Sequence, residues 1–229
     1  MRLLAVETSG VRGGIALAHD GQVIDEVALG EGMRHGRDLL VAAQKACHRA
    51  GWEPRRLDAV AVSIGPGSFT GLRIAVVFAK VVAWDTGARI AAVPTLAALS
   101  DNAPPDAPRV ACVLDAKRGG LYASIFEGAA DDRAESFGPA LIEPESLAAR
   151  LKAPCLVLGR GVPKARRALA DFSVAPEELW DVRPAAVARR GHAMLARGDA
   201  ADPLRLEPLY IRRPEAEELW HRRQRGHHR

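Results

Sequence analysis

Cysteine is scarce in this chain: of 229 residues only Cys47, Cys112 and Cys155 carry a thiol, far apart and without CxxC spacing. That excludes a disulfide framework and a cysteine zinc site, and makes a cytoplasmic location the expectation. No charge-free apolar run reaches the roughly 20 residues that span a bilayer. The most apolar stretch, "IAVVFAKVVAW", is broken by Lys80. The apolar part of "MRLLAVETSG" is too short for a secretory leader. A Walker lysine is missing as well, because Gly71 is followed by Leu72 and Arg73. The spacing Gly65-x-Gly67-x-x-x-Gly71 is not the dinucleotide fingerprint, and Ser63, Ser68 and Ser124 lie outside any GxSxG context. Acids are missing from the last nine residues, "HRRQRGHHR", whose four arginines account for the net charge of +4. The body is therefore neutral, against a domain-wide nucleic-acid footprint. The tail reads as a solvated end rather than an RNA contact.

What is present reads as an α/β chain. "RLLAVETSG", "GGIALAHDG" and "QVIDEVALG" are three short strands joined by glycine turns. A helix is expected over residues 34–50, with Leu39, Ala43 and Ala46 on one face and Gly51 as its stop. The strand "LDAVAVSI" leads through "GPGSFTG" into a helix from Phe69 to Trp84, and "ARIAAVP" and "TLAALSD" continue as strand and helix. The turn-rich "SDNAPPDAP" then marks a boundary.

After it the order repeats. "VETSGVRGGIALA" and "LDAKRGGLYASIF" both place an acid (Glu7, Asp115) before Arg-Gly-Gly and a second strand, and "PCLVLGRGVPKARRALA" follows the order of "AVSIGPGSFTGLRIAVV". The chain thus reads as two copies of one unit, forming two lobes over a cleft. We expect lobes at 1–102 and 103–213, with the last helix ("PAAVARRGHAMLARG") and the proline-extended "PLRLEPLYIR" folding back on the first lobe. A flexible basic tail spans 214–229.

The helix 69–84 carries charge only at Arg73 and Lys80 and is apolar nearly all round, so it must be covered on more than one side. Gly71, Ala75, Ala79 and Ala83 form an i+4 row of small side chains suited to close helix contact. Residues alone leave two choices, the neighbouring helix 34–50 or another chain.

"LLAVETSG", "SIGPGSFTGLRIA", "VPTLAALS", "LDAKRGGLYASIFEG", "LGRG" and "PLYIRR" occur in the order of the TsaB family, which the chain resembles from residue 1 to about 213. The resemblance implies an actin-like ATPase (ASKHA) fold of two duplicated lobes. It implies a non-catalytic subunit that forms a heterodimer with the catalytic paralogue TsaD and supports docking of the ATPase TsaE. TsaD transfers threonylcarbamoyl to the adenosine beside the anticodon of tRNA, which this chain would reach only through the complex. The resemblance also decides the helix question for an interface made of Leu39, Ala43, Ala46, Gly71, Ala75, Ala79 and Ala83. That surface would bind TsaD, or a second copy when TsaD is absent.

An active actin-like ATPase or kinase is the competing reading. Glu7 and Asp115 would hold the nucleotide's magnesium, with Thr8 and Ser9, and the loop residues Gly65, Gly67 and Ser68, near the phosphates. In the alternative these acids bond nearby backbone N–H groups and the glycine loop is a tight turn capped by Ser68 or Thr70. TsaB proteins usually have Asp at the place of Glu7 and are not considered enzymes, so we expect no catalytic residues and no cofactor, with ATP or ADP only at the complex interface. The histidine pair that binds metal in the paralogue corresponds to Thr95 and Leu99, and no metal site is expected. Buried positions are expected for Cys47 and Cys112 rather than reactive thiols.

Overall fold

The computed structural model describes residues 1–30, 35–129 and 133–212. The basic tail, with His221, His227 and His228, lies outside the described residues.

Two five-stranded sheets carry the fold, with the same strand order. In the first, β1 (Arg2–Glu7), β2 (Gly14–His19) and β3 (Gln22–Ala28) form an antiparallel meander. Helix α1 (His35–Arg49) then leads to β4 (Ala59–Gly65), and α2 (Phe69–Thr86) to β5 (Arg89–Pro94). Strand β4 lies parallel to both β1 and β5, with Leu3–Val6 opposite Ala59–Val62. The order across the sheet is β3-β2-β1-β4-β5. Helix α3 (Thr95–Ser100) closes the unit.

The second unit repeats it. β6 (Arg109–Asp115), β7 (Leu121–Glu127) and β8 (Ala134–Ile142) are antiparallel. α4 (Pro144–Ala148) and β9 (Leu156–Leu158) follow, then α5 (Val162–Ala165), β10 (Ser173–Val174) and α6 (Pro184–Ala196). The order is β8-β7-β6-β9-β10, with β9 parallel to β6 and β10. This duplicated pattern is the two-unit α/β arrangement that the repeated motifs suggest and the actin-like fold that the TsaB resemblance implies.

Apolar pattern explains the layering. Strands β1 and β4 are buried along nearly their whole length, as expected of parallel strands covered on both faces. On one side α1 and α2 cover Leu4, Val6, Val60 and Val62. On the other, α3 and α6 fill the space between the sheets, in one core that joins Leu3, Ala5 and Ala61 to Val110, Cys112 and Phe126. Beyond the second sheet, Leu147, Val162 and Leu169 complete a third cluster. Helix α5 is shorter than the sequence suggests: it ends at Ala165, and the turns after it carry Leu169 into the core.

The segment between the units is pinned. Arg190 holds the Asp101 carboxylate with two hydrogen bonds (2.6 and 2.8 Å). Asn102 donates to the carbonyls of Leu179 and Asp181 (3.0 and 2.7 Å). Buried Arg133 donates to the Ser100 and Pro104 carbonyls (2.7 and 3.0 Å). Together with the core shared between the sheets, these contacts pack the two units against each other.

Candidate functional site

The loop "GPGSFTG" sits where β4 ends and α2 begins. Gly65 adopts φ +122°, a region that side chains disfavour, and its N–H donates to Thr95 Oγ1 at 3.0 Å. Ser68 caps α2 by accepting from the Gly71 N–H at 3.3 Å. A Cβ on Gly71 would overlap the Thr8 carbonyl oxygen, and one on Gly67 would stand 2.6 Å from that of Ser9. The glycines thus let the loop close on the end of β1. Thr8 Oγ1 donates to the Gly71 carbonyl (2.7 Å), and the Ser68 N–H donates to the Ser9 carbonyl (2.7 Å). Where a phosphate cradle would present open N–H groups, this loop bonds the turn after β1.

Glu7 anchors that closure. It is fully buried, and Oε1 accepts from both the Ser9 N–H and the Ser9 hydroxyl at 2.5 Å. Oε2 and the Ser63 hydroxyl are both buried without a hydrogen-bond partner. Burial raises the Glu7 pKa above its ordinary value, and the neighbouring Ser63, Ser9 and Gly10 only partly offset this. Burial thereby shifts Glu7 toward the neutral acid relative to a solvated glutamate.

Asp115, at the equivalent strand end, has the opposite environment. Lys164 Nζ and the Lys117 N–H both bond Oδ1 (2.5 and 2.7 Å), and Lys117 Nζ stands 3.7 Å from Oδ2. Burial alone would raise this carboxyl, but the Lys164 hydrogen bond, the Lys117 amide and the two ammonium charges outweigh it and hold the pKa below its ordinary value. The structure therefore brings Glu7, Thr8, Ser9, Gly65, Gly67 and Ser68 into one knot and leaves Asp115 in a separate lysine clamp.

Thr95 and Leu99 are both buried. Among the described residues no group of three or more His, Cys, Asp and Glu side chains could hold a metal ion. All three thiols are buried, and desolvation raises each pKa, Cys155 to about 11 and Cys112 well above its ordinary value. None has the thiolate character of a nucleophile. Among the described residues no helix is long and apolar enough to cross a membrane.

The interface assignment needs correction. Leu39, Ala43, Ala46, Ala75, Ala79 and Ala83 belong to the chain's own core under the first sheet, and Gly71 is buried against Thr8. The small-residue row of α2 therefore packs inward. What this helix layer offers outward is a different set: Leu40 and Val41 on α1, and Val77, Val81 and Trp84 on α2. Trp84 is 89% exposed. A groove of about 600 Å³ between α1, the turn Pro54–Arg56 and α2 is lined mainly by apolar side chains, including Leu40, Leu57, Phe78, Val81 and Trp84. The i, i+4 and i+3 spacing of 77, 81 and 84 was the sequence signal for this face.

Similarity to known proteins follows the same outline. A family model described as TsaD, tRNA N6-adenosine threonylcarbamoyltransferase, matches residues 31–177. The chain belongs to the TsaB/TsaD family. It is 28% identical over 228 residues to the tRNA threonylcarbamoyladenosine biosynthesis protein TsaB of Bacillus subtilis, covering 96% of this chain and 98% of that protein. An uncharacterized protein of Mycobacterium tuberculosis is 30% identical over 220 residues, covering 95% and 94% of the two chains. Among solved structures, YeaZ from Pseudomonas aeruginosa matches with a TM-score of 0.82 and 26% identity, over 91% of this chain and 99% of that one. Within the family the chain is of the TsaB type.

Proposed function

We propose that this chain is a non-catalytic subunit required for threonylcarbamoyl transfer to the adenosine next to the anticodon of tRNA. It acts by heterodimerising with a catalytic TsaD-type paralogue and by supporting the docking of TsaE on the pair. Kinship with TsaB proteins supports the pathway. The observation that carries the subunit role is the unpartnered apolar face of α1 and α2, with Trp84 at 89% exposure. An exposed apolar groove of this kind marks a protein contact.

The site chemistry points the same way. Glu7 is committed to Ser9 with its pKa raised by burial, Asp115 is clamped by lysines, and the glycine loop bonds the turn after β1. Nucleotide, where it participates, binds at the complex interface, and tRNA is reached through the paralogue. In the absence of the paralogue a second copy covers the same face.

Reconstitution of tRNA modification with and without the chain tests the role. Loss of modification on omission is expected, and full activity without it would refute the subunit role. Calorimetry with Mg-ATP on the isolated chain tests the lack of its own activity. No hydrolysis is expected, whereas micromolar binding with turnover abolished by Glu7→Ala would establish an ATPase or kinase.

A further inference from the structure

Helix α2 is flanked on both sides, and only one flank is a helix. On the α1 side lies the apolar groove. On the other side runs the segment 202–212, which opens with a turn at 203–205 closed by the Arg205 and Leu206 N–H groups on the Asp202 carbonyl (3.1 and 2.9 Å) and is fastened at several points. The Ala201 N–H donates to the Ile90 carbonyl (2.8 Å) and the Leu209 N–H to the Ile64 carbonyl (2.7 Å). Lys80 Nζ donates to the Leu204 carbonyl (3.5 Å), and Arg73 Nε donates to the Tyr210 hydroxyl (3.0 Å). Tyr210 stacks on Phe69 with ring centroids 4.9 Å apart, and the Arg73 guanidinium lies 3.9 Å over the Phe69 ring. These contacts hold the strap against α2, yet Leu204 is 90% exposed. An anchored backbone that presents a bare leucine at the residue whose carbonyl Lys80 of α2 holds, on the helix that also exposes Val77, Val81 and Trp84, fits a surface built for a partner.

Charge around this platform has one sign in excess. On the two helices Arg37, Lys45, Arg49, Arg73 and Lys80 stand against Asp38 and Asp85, and Arg49 and Asp85 already pair with Asp25 and Arg55. Two copies face to face would bring these cations together, so a second copy binds this face less tightly than an acidic occupant, which is attracted.

We infer that the strap residues 202–212, led by Leu204 and Tyr210, form the second flank of the paralogue-binding surface, and that the paralogue meets it with an apolar surface bordered by acids. This rests on the reading that the α1–α2 face binds the paralogue. Leu204 then closes over the seam opposite Leu40, and Trp84 fills the centre.

The test measures affinity between the full chain and the TsaD-type paralogue of the same genome, for wild type, Trp84→Asp, Leu204→Asp and Val174→Asp. Val174 is exposed on the far edge of the second sheet. We expect binding to be lost in Trp84→Asp, weakened about tenfold or more in Leu204→Asp, and unchanged in Val174→Asp. All three melting temperatures stay near wild type, because the substituted side chains face solvent. Affinity falls as salt rises. If Leu204→Asp binds like wild type while Trp84→Asp does not, the strap inference falls and the α1–α2 reading stands. If neither substitution matters, that reading falls with it. A salt-independent affinity, or self-association tighter than binding to the paralogue, would overturn the acid-bordered occupant.

Discussion

In the first lobe the helices outside the sheet are α1 and α2, of 15 and 18 residues; the same places in the second lobe hold α4 and α5, of 5 and 4 residues. The strand order beneath is the same. The long helices leave Leu40, Val41, Val77, Val81 and Trp84 outside, whereas α4 and α5 bury their large apolar residues, Leu147 and Val162, and expose none among the described residues. One fold repeated in one chain thus separates two tasks. The second lobe's outer layer closes its own core. The first lobe's closes its core through the small side chains of α2 and has apolar surface to spare.

The equivalent acids differ in the same direction. Glu7 is dry, half-satisfied and raised in pKa, and Asp115 is one-third exposed, clamped by lysines and lowered.

The comparison can be broken at several points. Ala79→Glu puts a charge at a fully buried position under the first sheet and should cost several kcal/mol, which denaturant unfolding would measure. A stable Ala79→Glu protein would mean that the row faces outward after all. Gly71→Ala should also destabilise, by about 2 kcal/mol or more, since its Cβ overlaps the Thr8 carbonyl. Glu7→Gln probes the knot by pH. A raised folded-state pKa means that stability is greatest below the ordinary value of 4.5 and declines as pH rises toward the folded value. The amide should flatten that decline in melting temperature, and an unchanged pH profile would contradict a raised Glu7 pKa. Asp115→Asn should have the smallest effect. With its pKa lowered, Asp115 contributes stability above its ordinary 3.8 that is lost as pH falls through the folded value, and its exposure to solvent keeps that contribution small.

Much of the fold was legible in the chain. Glycine turns and apolar runs mark each strand of the first lobe, and the repeated Arg-Gly-Gly after Glu7 and Asp115 discloses the duplication. The prolines near residues 203–208 suggest an extended segment, but the chain turns at 203–205, where the Arg205 and Leu206 N–H groups bond the Asp202 carbonyl, and no local signal shows that the rest lies along α2. The direction of α2 was the chief misreading. With valines on one side and alanines on another, helical spacing defines the faces without saying which meets the sheet. The structure turns the small residues inward, because only they let α2 approach β1 as closely as the Thr8–Gly71 contact requires. Lys164, 49 residues from Asp115, could not be paired with it from spacing. Residues that close a site through long-range contact leave no local signal.

Hydrogen–deuterium exchange on the chain, alone and with the TsaD-type paralogue, tests the central claim most directly. The account predicts slowed exchange in peptides of α1, α2 and residues 202–212, with α4 and α5 unchanged. Protection confined to α4 and α5, with α1 and α2 unaffected, would contradict it.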